Sequence, residues 1–576
     1  MRSTFAGLNT MVRGIQNNQL SLDTTGHNIT NASTEGYSRQ RVDSAATNYQ
    51  ERPSLYGGVY VGGGVDVVAL NRARNIYADK QYWSENSAQN LYQTYKTNYD
   101  KVETIFNDAK KTGIQNAMHQ FYSSWVNLSD YASDAASRTA VLTKGNNLVD
   151  RIKTAASQLQ GQISAQYEEI GIQLGKLNNL TKEIAQLNKN IMLAETNGGK
   201  ANDLRDQRDL LVDKLSEITN VNVYEEANGQ YTVVSNGMSL VQRESSLTIE
   251  MSPPLHNKQY GITDYTMRIK EAGGIGYVPQ SGILKALQDT IVQDKGHIDQ
   301  LADISATLLT TFNDVHKLGV GIDKAETSWL NFFGNNKYTA PTGTTYNQMQ
   351  YTWHVDPATG DRWMEAVGAT VTRTKTAGPP PQTSVTTSAT AATPEDRLRS
   401  MQIINALKIA DELTAPGGQN LVAARQIIDP GTGKKLVPTL SGAGSTYTYQ
   451  DAWVNGTADG TMAVELSKLF NIDQAGTMNP RGTERAVSDV SINQYYNSMM
   501  SKLGANAENL DKTLKQQDDL MTQIEQWRQS TSGVDWNEEL TNMLKFQTGY
   551  GACSRVLTSM DEMLDKLING TGMVGK

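Results

Sequence analysis

Asp356, Asp361 and Glu365 lie close enough in the chain to share a site, and paired carboxylates at the right separation hydrolyse glycosidic bonds. Their context, Asp356-Pro357-Ala358-Thr359-Gly360-Asp361, has the composition of a turn, and we read them as turn acids. The histidines at 27, 119, 256, 297, 316 and 354 are scattered, and none forms HExxH. The chain contains no GxSxG, no GxxxxGK[ST] and no GxGxxG. Its single cysteine, Cys553, forbids an internal disulfide and any multi-cysteine zinc site, and reads as a small core residue. We therefore expect no enzyme, no cofactor and no resident metal.

Length and charge narrow the field further. At 576 residues the chain exceeds one core and divides into several domains. Hydrophobic residues make up 38%, too few for a polytopic membrane protein, so no membrane insertion is expected. A net charge of −8 without a long basic run gives no footprint for nucleic acid. Met1 to Thr10 lacks the apolar core of a cleaved signal peptide.

The informative pattern is at the two ends. Steps of three and four from Phe5 meet Leu8, Val12, Ile15, Gln19, Leu22, Gly26 and Ile29, a coiled-coil seam. The same walk from Met543 meets Phe546, Tyr550, Cys553, Leu557, Met560, Leu564 and Leu567 without a polar break. One apolar stripe buries too little to order such a helix alone, and Gly549 and Gly551 each weaken it by about 1 kcal/mol. Both ends are expected to be largely disordered in the monomer and to order on assembly; the alternative is an ordinary helix pair within the chain.

Between the ends, Leu148, Ile152, Leu159, Ile163, Ile170, Leu174, Leu177, Ile184 and Ile191 predict one very long helix over about 135–194. Asn197-Gly198-Gly199 ends it, and a second helix over about 201–218 packs back antiparallel. Tyr92 to Phe106 and Tyr496 to Ile524 predict two more helices of an elongated bundle. Asn228-Gly229 predicts a β-hairpin, and a helix follows over about 283–318. Trp329, Phe332 and Phe333 look like a local core, Asp429-Pro430-Gly431-Thr432-Gly433-Lys434 like a turn, and Gly378 to Thr393 like a solvated loop.

Asn28-Ile29-Thr30-Asn31-Ala32-Ser33-Thr34-Glu35-Gly36-Tyr37-Ser38-Arg39-Gln40, after an amphipathic helix, resembles the signature of bacterial flagellar rod, hook and hook-associated axial proteins. Its Gly-Tyr-Ser-Arg-Gln ending is more similar to the hook-filament junction (first hook-associated) family than to hook or rod proteins. Ser532-Gly533-Val534, Glu538-Glu539-Leu540, Phe546-Gln547, Tyr550 and Ser554-Arg555-Val556 resemble the family's C-terminal signature, and Leu204-Arg205-Asp206-Gln207-Arg208-Asp209-Leu210-Leu211 resembles a stretch typical of the junction family. Glu35 stands where Pro is usual, and Asp535-Trp536-Asn537 replaces the common Asn-Leu-Asp.

The resemblance implies a mainly α fold with β-rich insertion domains, terminal helices pairing as a coiled coil. Its expected divisions are 1–40 plus 533–576 (inner tube), 41–219 plus 485–532 (bundle), 220–335 (β-rich with a helix) and 336–484 (outer mixed β/α insertion). The implied role is structural: polymerisation at the hook tip to join hook to filament. Other readings are a different hook or rod position, or a hydrolase carried through 336–480. The expected assembly interface comprises Phe5, Leu8, Val12, Ile15, Leu22, Asn28, Ile29, Asn31, Ala32, Gly36, Tyr37, Ser38, Arg39 and Gln40, with Met543, Phe546, Gln547, Tyr550, Cys553, Arg555, Leu557, Met560, Leu564 and Leu567. Implied partners are further copies of the chain, hook protein, a second junction protein and a cytosolic export chaperone at the C-terminal helix. The implied location is extracellular, on the flagellum, reached without a cleaved signal.

Overall fold

The inward residues of the long central helix recur every three or four positions, from Leu148 and Ile152 to Ile184 and Ile191, and each is buried. In the computed structural model they belong to one helix of 61 residues. The structure describes residues 6–570 apart from 48–49, 55–56, 107–112, 197, 325, 335–344, 360, 377–381, 390, 429–438, 442–445, 451–453, 472–485 and 488–489.

The chain opens with α1 (Ala6–Thr30) and the strands β1 (Gln40–Ala46), β2 (Gln50–Ser54), β3 (Gly57–Val61) and β4 (Val65–Arg72). Strand β1 pairs with β4 and β2 with β3, all antiparallel, so the glycine-punctuated Val59-Tyr60-Val61 is one arm of a hairpin. Helices α2 (Ile76–Phe106), α3 (Ile114–Asp130), α4 (Ala135–Glu195) and α5 (Asn202–Ile218) follow. Asp134 caps α4 by accepting from the Ser137 amide at 2.9 Å. Gly198, at φ +84°, supplies the left-handed turn toward α5.

Strands β5 (Asn222–Glu225), β6 (Tyr231–Ser235), β7 (Met238–Gln242) and β8 (Ser245–Ser246) form one antiparallel sheet, with Gly229 at φ +79° in the expected hairpin turn. β9 (Ile249–Met251) pairs with β12 (Met267–Ile269), and β10 (Leu255–Asn257) with β11 (Ile262–Asp264). The expected 283–318 helix is α6 (Gly282–Thr307), continued by a π-helical turn at Leu308–Phe312 into α7 (Asn313–His316). Beyond it lie β13 (Thr345–Val355), β14 (Arg362–Thr376), β15 (Gln382–Ala389), β16 (Arg397–Leu398), α8 (Ser400–Ala406), α9 (Asp411–Thr414), β17 (Thr439–Ser441), β18 (Thr446–Gln450) and α10 (Thr461–Asn471). Their strands make a six-stranded antiparallel sheet ordered β13-β14-β15-β18-β17, with β16 beside β14. Two long helices, α11 (Ile492–Ser532) and α12 (Trp536–Gly570), close the chain.

One expectation is corrected here. Residues 382–389, read as solvated loop, are strand β15, paired with both β14 and β18. Gln-Thr-Ser-Val-Thr-Thr-Ser-Ala has a loop's polarity, but its β-branched Thr and Val residues suit an extended backbone. The adjoining Gly378-Pro379-Pro380-Pro381 and the Asp429–Lys434 turn lie outside the described residues.

Trp329, Phe332 and Phe333 are not a separate core. Phe121 of α3, Phe312 of the π turn, Phe332, Phe333 and Phe470 of α10 pack ring against ring with centroids 4.8 to 6.2 Å apart. Buried His316 ties this cluster to its surroundings: Nδ1 lies 2.8 Å from the Leu330 carbonyl, and Nε2 accepts from the Ala423 amide at 3.1 Å. Parts of 400–427 and 461–471 are thus built into the bundle rather than held outside it.

Desolvation pushes the carboxyl of Asp294 on α6 up to about 6, against hydrogen bonds from Asn98, Gln166 and Gln162 and the Lys101 charge that favour ionisation. With its folded pKa above the unfolded one, its contribution to stability is full below about pH 4 and lost as pH rises through 6. The stability of Asp294→Asn relative to the native chain, read by urea unfolding, should therefore rise by on the order of 1–3 kcal/mol between pH 4.5 and 7.5. A difference that stays level across that range would contradict it.

Candidate functional site: the coiled coil of the termini and its ionic anchor

The terminal helices meet each other. A Cβ on Gly7 would lie 2.4 Å from Met560 Cε, one on Gly14 3.0 Å from Cys553 Sγ, and one on Gly549 2.7 Å from Asn18 Oδ1, so α1 and α12 run antiparallel. Seven residues forward on α1 match seven back on α12, the step of a coiled coil. Gly7, Gly14 and Gly549 bring the two backbones close, and each helix is the partner the other lacks alone. The expected disorder of both ends is replaced by this intramolecular pair, whose facing residues neither periodicity walk could match across the chain.

The seam differs from the expected one in detail. Leu8, Val12, Ile15, Leu22 and Ile29 are half-buried, as are Met543, Phe546, Cys553, Leu557, Met560 and Leu564. Tyr550 and Leu567 are exposed, at 40% and 59%, as are Gln547 and Arg555. Phe5 lies outside the described residues. The fully buried positions of α1 are polar: Ser21, Thr24, Thr25 and Asn28. Hydroxyls make this tolerable, because Ser21 donates to the Asn17 carbonyl at 2.8 Å and Thr24 to that of Leu20 at 2.7 Å.

At the inner end of this pair Asn28, 1% exposed, uses its whole amide. Nδ2 donates to the Gln40 carbonyl at 2.8 Å and to Glu539 Oε2 at 3.0 Å; Oδ1 accepts from the Gln40 amide at 2.9 Å and the Tyr37 hydroxyl at 2.8 Å. It thereby folds the signature loop back on α1 and ties it to the first turn of α12. Burial, with Asp203, Asp206 and Glu539 nearby, pushes the Tyr37 hydroxyl far above the usual phenol range, so it remains a donor. Gly36, at φ +77°, makes the turn, and Asn31 and Ala32 are half-buried on the loop's outer side. Arg39 spans two acids of α12, with Nε 2.7 Å from Glu539 and Nη2 2.6 Å from Glu538, and its amide donates to the Ser532 carbonyl at 2.9 Å. Asp535 caps α12 by accepting from the Asn537 amide at 2.8 Å.

The loop is held in turn by α5. The Ser38 amide donates to Asp206 at 2.9 Å, and Gln40 Nε2 to Asp203 at 2.8 Å. Arg72 at the end of β4 lies 2.6 Å from Asp206 and 2.8 Å from Asp209; Arg74 lies 3.3 Å from Asp209 and 2.8 Å from Asp79 of α2. Arg528 of α11 bridges Asp79 at 3.1 Å and Asp213 at 2.9 Å, and Trp83 Nε1 donates to Asp213 at 2.6 Å. Burial raises Asp206 and Asp213 despite these partners. Burial also pushes Asp209 upward, but the guanidiniums of Arg74, Arg72 and Arg208 outweigh it and hold that carboxyl below the usual range.

Arg72, Arg74, Asp79 and Arg528 were not singled out from sequence. The signal lay in α5, where Arg205, Asp206, Arg208 and Asp209 put four charges within five residues, more than one solvated face accommodates. All four are buried. Beside this anchor a groove of about 1010 Å³ is lined by residues 32–39 of the loop and 529–535 of the α11–α12 elbow.

The carboxylates at 356 and 365 each have a local partner. Asp356 Oδ1 accepts from the Ala358 amide at 2.8 Å in the β13–β14 turn, and Glu365 lies 3.1 Å from His354 Nε2. Among the described residues no three His, Cys, Asp or Glu are placed to hold a metal ion, and no helix is long and apolar enough to cross a membrane.

Comparison with known proteins agrees with this architecture. Residues 99–333 match the model of the flagellar hook-associated protein FlgK helical domain, and 525–570 match that of the flagellar basal body rod FlgEFG protein C-terminal region. The chain is 25% identical to flagellar hook-associated protein 1 of Bacillus subtilis, covering 100% of both chains. It is 26% identical to flagellar hook-associated protein 1 of Escherichia coli, covering 98% of this chain and 99% of that one. The structure of the flagellar hook junction protein FlgK from Burkholderia pseudomallei superimposes with a TM-score of 0.53 at 18% identity, over 79% of this chain and 100% of that one, and shows a shared fold. A terminal coiled coil on a long helical bundle, with these matches, defines a structural protein of the bacterial flagellar axis. Within that class the chain is similar along its whole length to flagellar hook-associated protein 1.

Asn28→Ala leaves the Gln40 amide and carbonyl without their buried partner and should cost about 2–4 kcal/mol in urea unfolding. Ile29→Ala, half-buried one residue on, should cost visibly less. Equal losses would contradict the role given to Asn28.

Proposed function

We propose that this chain polymerises at the tip of the flagellar hook and joins hook to filament. One observation carries the reading. Paired with α1, helix α12 still turns Leu540, Leu544, Val556, Met563 and Leu567 to solvent, at 45, 65, 44, 61 and 59% exposure. A coiled coil so unfinished gains stability from neighbouring copies, because association buries apolar surface the single chain leaves wet.

Repetition of one head-to-tail contact generates a helical layer. In it, 1–40 and 533–576 form the inner wall, 41–219 with 485–532 the bundle around it, and 220–335 and the sheet-bearing part of 336–484 successively outer parts, the helical stretches of 400–427 and 461–471 staying with the bundle. Phe5, Leu8, Val12, Ile15 and Leu22 and the stripe from Met543 to Leu567 line the inner contacts. The loop from Asn28 to Gln40 reaches neighbours through its outer side, Asn31 to Gly36, since Asn28, Ser38 and Gln40 are buried within their own subunit. Hook protein below, a second junction protein above and a cytosolic chaperone on the C-terminal helix before export complete the partners. Export carries the chain to an extracellular position, and the role is structural, not enzymatic.

Cosedimentation with purified hook fragments tests this, comparing the full chain with versions lacking 1–30 or 540–576. Saturable binding at one fragment end, lost on either truncation, is expected. Absence of binding by the full chain would overturn the proposal, and binding along the whole shaft would move the chain to another axial position.

A further inference from the structure

Leu and Ile recur along the buried stripe of α4. From Leu148 to Ile191 its buried members return every three or four residues, with Ala155, Ala156, Tyr167 and Ala185 among them, and Leu or Ile at one layer is nearly equivalent to Leu or Ile at the next. A partner helix displaced by one layer, three or four residues or about 5 Å, would meet an almost identical surface. Four buried polar side chains interrupt this degeneracy; Gln173 bonds Glu169 and Thr181 the Asn178 carbonyl within α4 itself, and two, Gln166 and Asn188, reach other elements.

The first is Gln166, 7% exposed. Its Nε2 donates to Asn98 Oδ1 on α2 at 2.6 Å and to Asp294 Oδ2 on α6 at 2.8 Å, while Asn98 Nδ2 donates to Asp294 Oδ1 at 3.2 Å. Gln162, one turn earlier, donates to the same Asn98 and Asp294 oxygens, the latter at 3.1 Å. Three helices thus share one dry layer of amides around a carboxylate that is 0% exposed.

The second is Asn188, also 0% exposed. Its Oδ1 accepts from Arg208 of α5 at 2.9 Å and from the Tyr231 amide of β6 at 3.0 Å. Its Nδ2 donates to the carbonyls of Tyr231 at 2.9 Å and Arg243 at 2.6 Å. A shift by one layer would set Ile184 or Ile191 in place of Asn188, and a shift away from Gln162 would set Ile170 against Asn98 and Asp294, leaving buried polar groups without their partners, which is costly in a low-dielectric core.

We propose that the Asn98–Gln166–Asp294 layer and the Asn188 layer are register locks: they select one axial alignment of α2, α5 and α6 along a seam whose apolar residues would accept several. The two lie 22 residues apart on one helix, about 33 Å. Between them they set the distance from the ionic anchor at α5 to the bundle's far end, where α3 and α10 pack. This inference does not depend on where in the flagellum the chain sits.

The test replaces the first lock by apolar residues, Asn98→Leu, Gln166→Leu and Asp294→Leu, in the full chain with Cys553→Ser. Spin labels at the exposed Glu103 of α2 and Lys182 of α4, well separated along the helix axis, report the alignment as a distance. With the native layer one narrow distance is expected. In the triple variant, checked for helicity by circular dichroism, a second population displaced by about 5 Å should appear. A folded triple variant with the single native distance would overturn the proposal. If the triple variant does not fold, Gln162→Leu with Gln166→Leu decides: broadening toward the displaced distance supports the lock, and an unchanged narrow distance overturns it.

Discussion

Of three aspartates on one helix, Asp206 and Asp209 are buried and Asp213 is half-buried, and desolvation alone pushes all three toward the neutral form. What keeps this surface satisfied is that guanidiniums arrive from elsewhere: Arg72 from β4, Arg74 from the link to α2 and Arg528 from α11. The anchor is therefore a condition on tertiary structure, because none of its charges has an adequate partner until the other elements are in place. Removing one member strips a desolvated charge of one of its few partners, so the elements it joins are coupled.

From that anchor the architecture of the ends follows. Asp206 takes the Ser38 amide and Asp203 the Gln40 amide group, which positions the signature loop; Asn28 and Arg39 then carry the position to Glu538 and Glu539. The coiled coil inherits its direction from the bundle through a few directional hydrogen bonds, not through a large apolar interface. That division of labour leaves the outer stripe of α12 free. A subunit that satisfied all its apolar surface internally would have nothing left to polymerise with.

Much of this was legible in the sequence where the physics is periodic. The long helix at 135–195, the hairpin at Asn228-Gly229 and the coiled-coil character of both ends follow from repeats of 3.5 or 2 and from turn residues. Signals without a period were missed. Ion pairs between Arg72 and Asp206, or Arg39 and Glu539, join positions 134 and 500 residues apart and leave no mark on any local window. Ser21 and Thr24 are polar and fall outside the apolar walk, yet bonds to the preceding turn make them buriable. Strand β15 was hidden for the converse reason, since a Thr- and Ser-rich strand shares its composition with a loop. The resemblance of Leu204–Leu211 to a junction-protein stretch is now a physical statement: it is the acid-base face on which the rest is hung.

The central claim is that α1, α12, the signature loop and α5 are one cooperative unit in the single chain. Native-state hydrogen exchange of dilute monomer, resolved by segment over a series of urea concentrations, measures this directly. The account predicts that amides in 10–40, 203–216 and 537–560 lose protection together at a common urea concentration. Free exchange of both terminal helices without urea, with α5 still protected, would contradict it.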